Sequence, residues 1–267
     1  RIVVQDNSRD SLERAQLRWN EVLDPEVIHE VSYHSSIETL PRQIDVAIIA
    51  TTADSRPQVV GHIAAHASVR FWVLEKVLAQ SESGLDEIVT HVGAGSRAWV
   101  NTPRRIMPWH RQVRAQLGLA RPMIMRMEGG AWGLACNAIH LLDLLAWWTG
   151  ETLQAVVTDR LEPRWFESKR RGVWEVAGTL EARFSGGSCA YLSANQGSDA
   201  VRLEVTDGRQ TWLVKEADGV ATRSDGRAIP GRMQYQSEMT APLVESLLEG
   251  RGCDLPTLDE SVSLHRA

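Results

Sequence analysis

The chain has 267 residues and a mass of 29.7 kDa, which points to one large α/β domain or two ordinary ones and excludes a peptide module. Hydrophobic residues at 43% and charged residues at 24% exclude global disorder, while 29 Lys plus Arg against 34 Asp plus Glu lack the basic excess of a nucleic-acid binder. The most apolar stretch, 134–148, is short for a bilayer span and contains Asn137, His140 and Asp143, so no membrane segment is expected. Cys136, Cys189 and Cys253 show no CxxC spacing and suit reduced thiols in a cytoplasm.

The chain opens inside a β-prone run, 2–5, that ends in Asp6, and a helical pattern follows over 8–20. A second strand is expected at 27–33 and a helical turn at 37–40. The run DVAIIA at 45–50 is apolar enough to be buried on both faces of a parallel sheet. Pro57 suits the first turn of a helix reaching residue 67, and 69–74 is another buried strand, ending at Glu75 and Lys76. Strands alternating with helices at this spacing predict a doubly wound parallel sheet over 1–100. Its ligands lie beyond the carboxyl ends of the strands.

Residues 98–101 read as a last short strand, 107–117 as a helix, and 122–127 as a strand leading to Gly129 and Gly130. A long helix is expected over 134–149, closed by Gly150 at C′. Alternating strands, among them 173–184, 188–194, 200–206 and 211–214, predict an antiparallel sheet. Helices over 233–249 and from 258 onward complete a second α/β domain, 101–267; no internal repeat is visible.

Asp6 ends a strand before a helix, the position from which a dinucleotide fold binds the adenosine ribose, and Arg9 is placed to meet a 2′-phosphate. NAD is favoured over NADP. Further cofactor candidates are Ala50, Thr51, Thr52 and Asp54 at and beyond the end of the strand at 45–50, with Glu75 and Lys76 beyond the strand at 69–74. A lysine at a strand end can polarise a hydroxyl or carbonyl, or remain a solvated surface cation. Asn137, His140 and Asp143 recur at i, i+3 and form a polar stripe on an otherwise apolar helix. His140 is the natural acid/base, unless Asp143 holds it in a structural network. Cys136 with one His makes only half a metal site, so no metal is expected. Arg104 and Arg105 suit an anion clamp or a surface basic pair. Trp132, in a glycine-rich turn, suits sugar stacking or plain packing; Trp99, Trp109 and Tyr235 are further candidates for a sugar pocket.

Residues 45–52 (DVAIIATT), 73–79 (VLEKVLA) and 138–143 (AIHLLD) resemble the Gfo/Idh/MocA family, the oxidoreductases named for glucose-fructose oxidoreductase and inositol dehydrogenase. The first two look like its fourth strand and Glu-Lys-Pro signature, the third like its Gly-x-His-x-x-Asp helix. The likeness extends over nearly the whole chain, including Tyr235 and Glu238. Segments 132–140, 100–105 and 255–261 are similar to a branch associated with surface-polysaccharide gene clusters. The resemblance implies that 1–100 is a dinucleotide-binding Rossmann domain, and that a hydride moves between NAD(P) and a sugar-like alcohol, with Lys76 as catalytic lysine and His140 as acid/base. It also implies an open C-terminal sheet that mediates homo-oligomers. It further implies a central first strand with a phosphate-binding turn, about 25–30 residues ahead of Arg1. Three positions depart from the pattern: Val77 replaces a Pro, Ala53 a common Asn, and Cys136 an Asp four residues before the His. The last departure leaves open a nucleotide-binding regulatory protein, or a redox-assisted epimerase or lyase.

Overall fold

The computed structural model describes residues 1–22, 29–93, 95, 97–117, 122–168, 170 and 172–267. The chain begins with β1 (Ile2–Gln5) and α1 (Arg9–Asn20), the helix capped by Ser8, whose hydroxyl accepts from the Ser11 amide. Strand β2 (Val31–His34) pairs in parallel with β1, later in the chain than expected; residues 27 and 28 of the predicted strand lie outside the described residues. After a short 3-10 turn (Ile37–Thr39) come β3 (Gln43–Ile49), α2 (Arg56–His66) and β4 (Ser68–Glu75). Helix α3 (Glu82–Val92) is capped by Ser81 and was not anticipated from the sequence. Strand β5 (Ala98–Asn101) completes a three-stranded parallel sheet in the order β3–β4–β5. Its register sets Glu75 level with Asn101 and Leu74 with Val100. The parallel strands thus fall into two sheets.

Helix α4 (Pro108–Leu117), β6 (Ile124–Gly129) and α5 (Leu134–Thr149) follow. Gly150, in the left-handed region at φ 67°, ends α5, its amide donating to the Ala146 carbonyl at 2.7 Å. Then come β7 (Leu153–Glu167), β8 (Trp174–Phe184), β9 (Cys189–Ala194), β10 (Arg202–Thr206), β11 (Thr211–Lys215), β12 (Val220–Arg223) and β13 (Ala228–Pro230). These strands and β6 form an eight-stranded sheet in the order β13–β12–β11–β10–β6–β9–β8–β7. The expected antiparallel sheet needs one correction: β6 and β9 run parallel, because the chain crosses over through α5 before it reaches β9. Helix α6 (Gln236–Leu248) begins three residues later than expected, and α7 (Leu258–Arg266) opens with a reciprocal cap between Thr257 and Glu260.

Apolar residues occur all round α5, so it is a buried helix; Leu134, Leu141, Leu144, Leu145 and Trp148 join the core it makes with the large sheet. A second core lies between the three-stranded sheet and α2 and α3. Leu258 and Val262 of α7 complete it, so the C-terminal end of the chain packs on the parallel sheet. The Val100 amide donates to the Pro256 carbonyl at 3.0 Å, and Arg266 pairs with Asp86. The cleft between the two sheets is thereby fixed from both sides. Among the described residues, no helix is long and apolar enough to cross a membrane.

Candidate active site

The carboxyl ends of the parallel strands and the start of α5, joined by Lys76, border one cleft, at the place where a doubly wound sheet takes its ligands. Asp6 is half-buried, and its Oδ1 accepts from the Ser8 amide at 2.7 Å, fixing the turn into α1. Arg9 is turned along α1 to Glu13, Nε to Oε1 3.0 Å, so its charge is engaged away from Asp6. In the loop after β3, Ala50, Thr52 and Asp54 are exposed, and a hydrogen bond from Thr52 is the main cause holding Asp54 below the usual carboxylate value. Thr51 Oγ1 is buried and unpartnered, as is Oδ1 of Asn101, while Asn101 Nδ2 donates to Glu75 Oε2 at 2.8 Å. Buried polar atoms without partners are costly in a finished interior. Orphans at the ends of β3 and β5 fit a dinucleotide, whose ribose hydroxyls and carboxamide carry the missing donors and acceptors. Asp6, the Thr51 loop and Lys76 are the residues that would hold it.

Lys76 reaches across the cleft to the first turn of α5. Its Nζ donates to Asn137 Oδ1 at 3.0 Å and to the Cys136 carbonyl at 3.2 Å, and lies 3.4 Å from Cys136 Sγ. A thiol is a weak acceptor, so the two oxygens supply the main hold on this ammonium. The Lys76–Val77 peptide bond is cis. Asn137 is itself held by donation from Nδ2 to the Trp132 carbonyl at 2.9 Å. Helix α5 begins at Gly133, at φ 81° with no capping side chain of its own; the buried carboxylate of Glu175 on β8 accepts from the amides of Ala135 at 2.8 Å and Cys136 at 3.3 Å.

His140 stands one turn further along α5, half-buried, its Nδ1 enclosed without a partner. Burial, and then the charges of Arg104 and Lys76, push its pKa down to about 2. The imidazole is neutral at physiological pH. Asp143 does not orient it. It is buried and bound bidentately by Arg105, Oδ1 at 2.6 Å and Oδ2 at 3.0 Å, with Thr102 Oγ1 donating to Oδ2 at 2.8 Å. Burial pushes this carboxyl up, against the pull of Arg105 and Thr102.

Arg104 and Arg105, read as an anion clamp or a surface basic pair, both pair with carboxylates of the protein. Arg105 is spent on Asp143, and Arg104 donates to both oxygens of Glu216 at 2.7 Å. His110, fully buried, adds a bond from Nε2 to Glu216 Oε1 at 3.0 Å. Burial lowers the His110 pKa, and Glu216 is held well below the usual carboxylate range, its burial outweighed by Arg104 and His110. Trp132 Nε1 donates to the Ser193 carbonyl at 2.8 Å, and its partly buried ring packs on the core. Trp109 lies in the same core, and Trp99 packs against Phe71. Tyr235 is 76% exposed at the start of α6. The structure therefore brings together Lys76, Cys136, Asn137 and His140. Glu175, Glu216 and Arg56 were not visible to sequence reasoning; only the Pro after Arg56 marked its neighbourhood as a helix start.

This arrangement, a parallel sheet linked through Lys76 to a helix on a large mixed sheet, is also found in solved structures of oxidoreductases. UDP-N-acetylglucosamine 3-dehydrogenase GnnA from Acidithiobacillus ferrooxidans is similar at a TM-score of 0.72 and 14% identity, over 99% of this chain and 94% of that one. An oxidoreductase domain protein from Kribbella flavida is similar at a TM-score of 0.71 and 15% identity, over 99% and 85% of the two chains. An oxidoreductase from Sinorhizobium meliloti gives 0.66 and 11%, over 98% and 85%. At these identities the likeness establishes the fold. No family model and no curated relative matches the sequence.

Proposed function

We propose that the protein is an NAD(P)-dependent oxidoreductase that moves a hydride between nicotinamide and a hydroxyl-bearing carbon of a sugar or nucleotide-sugar, as in surface-polysaccharide synthesis. The observation that carries this reading is the Lys76 ammonium seated on α5 one turn from a neutral His140. When bound, the nicotinamide supplies the hydride acceptor. His140 takes the hydroxyl proton, and Lys76 leaves the Cys136 thiol to stabilise the developing alkoxide. Asn137 holds Lys76 and is in turn fixed by the Trp132 carbonyl. The fold shared with a nucleotide-sugar 3-dehydrogenase supports the substrate class. In this reading residues 1–100 present the nucleotide and 101–267 the substrate, and copies of the chain associate through the uncovered face of the eight-stranded sheet.

The test is Lys76→Met across a panel of sugars and nucleotide-sugars. Turnover is expected to fall by about 100-fold or more with the unfolding midpoint unchanged; normal turnover overturns the assignment. The thiol in place of a relay acid favours a second reading, a nucleotide-binding regulatory protein or a redox-assisted epimerase or lyase. Nucleotide binding without turnover marks the former, and product without net NADH the latter.

A further inference from the structure

The segment that carries Lys76 is fastened by a buried side chain that bonds only backbone carbonyls. Arg56, the first residue of α2, is 1% exposed. Its Nη1 donates to the carbonyls of Val77 and, at 3.0 Å, Leu78, and its Nη2 donates to the Thr51 carbonyl. Among the described residues it forms no ion pair, and its Nε has no partner. A buried guanidinium is ordinarily matched by a carboxylate, since removing a charge from water costs several kcal/mol. Here burial lowers its pKa to about 10, the more distant charge of Glu75 opposing the fall. The cation is retained where its donors can draw together two backbone segments. One is the loop holding Thr51, and the other is the turn just after Lys76. The far side of that turn is held by α7: the Leu78 amide donates to His265 Nε2 at 3.1 Å, and His265 Nδ1 donates to the Ser261 carbonyl at 2.7 Å.

We propose that Arg56 is a positioning residue that ties the nucleotide-side loop at Thr51 to the Lys76 turn, so that the bound dinucleotide and the catalytic ammonium keep one register. The loop and the turn belong to different strand ends and share no other described side-chain link. Arg56 makes them a single unit. The proposal rests on the oxidoreductase reading for its consequence in catalysis, while the coupling itself is a property of the chain alone.

The chain contains three lysines, Lys76, Lys169 and Lys215, which makes the coupling directly readable. Reductive methylation of the whole protein with labelled formaldehyde gives one carbon resonance per lysine besides the terminal amine, and Lys76→Arg identifies the Lys76 line. In the wild type this line is expected apart from that of Lys215, whose side chain is half-exposed. In Arg56→Met it is expected to move to the Lys215 position. In Arg56→Lys, which keeps a donor and a charge, it is expected between the two, the added lysine being the line absent from the wild type. An unmoved Lys76 line in either folded variant overturns the proposal, and Arg56→Lys decides the matter if the Met variant does not fold.

For turnover, Arg56→Met is expected to lose about 100-fold in kcat, as for a misplacement of about 1 Å, with dinucleotide affinity changed roughly threefold or less. Equal losses in both that follow the folded fraction contradict a positioning role. Failure of the oxidoreductase reading shows separately, as a wild type that binds no dinucleotide while its Lys76 line still answers to residue 56.

Discussion

Replacing His140 with Asn should remove a pH dependence of stability that belongs to this one ring. In the folded protein its pKa lies near 2, from burial and the adjacent Arg104 and Lys76 charges, whereas the unfolded imidazole titrates at about 6.5. A folded pKa below the unfolded one means that the unfolded chain takes up the proton first as pH falls. The contribution is therefore complete above about pH 7 and is lost progressively below it. At pH 5 the unfolded ring is 1.5 units below its pKa, and RT ln(1 + 10^1.5) amounts to about 2 kcal/mol. His110 and His265 are displaced in the same direction by burial and add their own slope, but equally in both proteins. The assay is urea unfolding of wild type and His140→Asn at pH 8, 7, 6 and 5, followed by tryptophan fluorescence. The wild type is expected to lose about 2 kcal/mol more than the variant between pH 8 and pH 5. Parallel losses would mean that the folded ring titrates normally, and the argument for a neutral base at physiological pH would fail.

Other perturbations separate scaffold from chemistry. Arg105→Met leaves the Asp143 carboxylate buried without its bidentate partner and should cost about 3–5 kcal/mol in urea unfolding, too large for a surface ligand clamp. Glu175→Gln removes the charge at the start of α5 and should cost about 1 kcal/mol, with a rise in the KM of substrate as the Cys136–Asn137 turn loosens. Sedimentation of the protein is expected to show a species larger than the monomer, dissociated by a charge placed at Tyr191 on the uncovered sheet face; a monomer at all concentrations excludes that interface.

The sequence disclosed α5 to the residue, because sixteen largely apolar positions end at a glycine, and it disclosed β3 and β4; the apolar run of β4 is buried on both faces, whereas β3 leaves Ile48 47% exposed. It did not disclose β7. That strand's pairing with β8 shifts register between Val157 and Arg160 and again between Leu161 and Trp165, which breaks the period-two pattern. Helix α3 had a cap at Ser81 and apolar Leu85, Ile88 and Val92, and its signal was available but short. The polar stripe on α5 was legible as a stripe, yet not in its partners. Steps of three residues fall about 60° short of a full turn, so by Asp143 the stripe has rotated about 120° from Asn137. The rotation is enough to turn Asp143 from the cleft to Arg105. Partners such as Glu216, Glu175 and His265 come from distant elements, and no local pattern announces which carboxylate an arginine meets.

The most direct test is a titration of the protein with NADH and with NADPH, following energy transfer from its ten tryptophans to the reduced nicotinamide. Saturable transfer, weakened by Asp6→Ala and abolished by competition with the oxidised cofactor, is the expected result. A folded protein that shows no transfer with either nucleotide would contradict the dinucleotide site, and with it the roles given to Lys76 and His140.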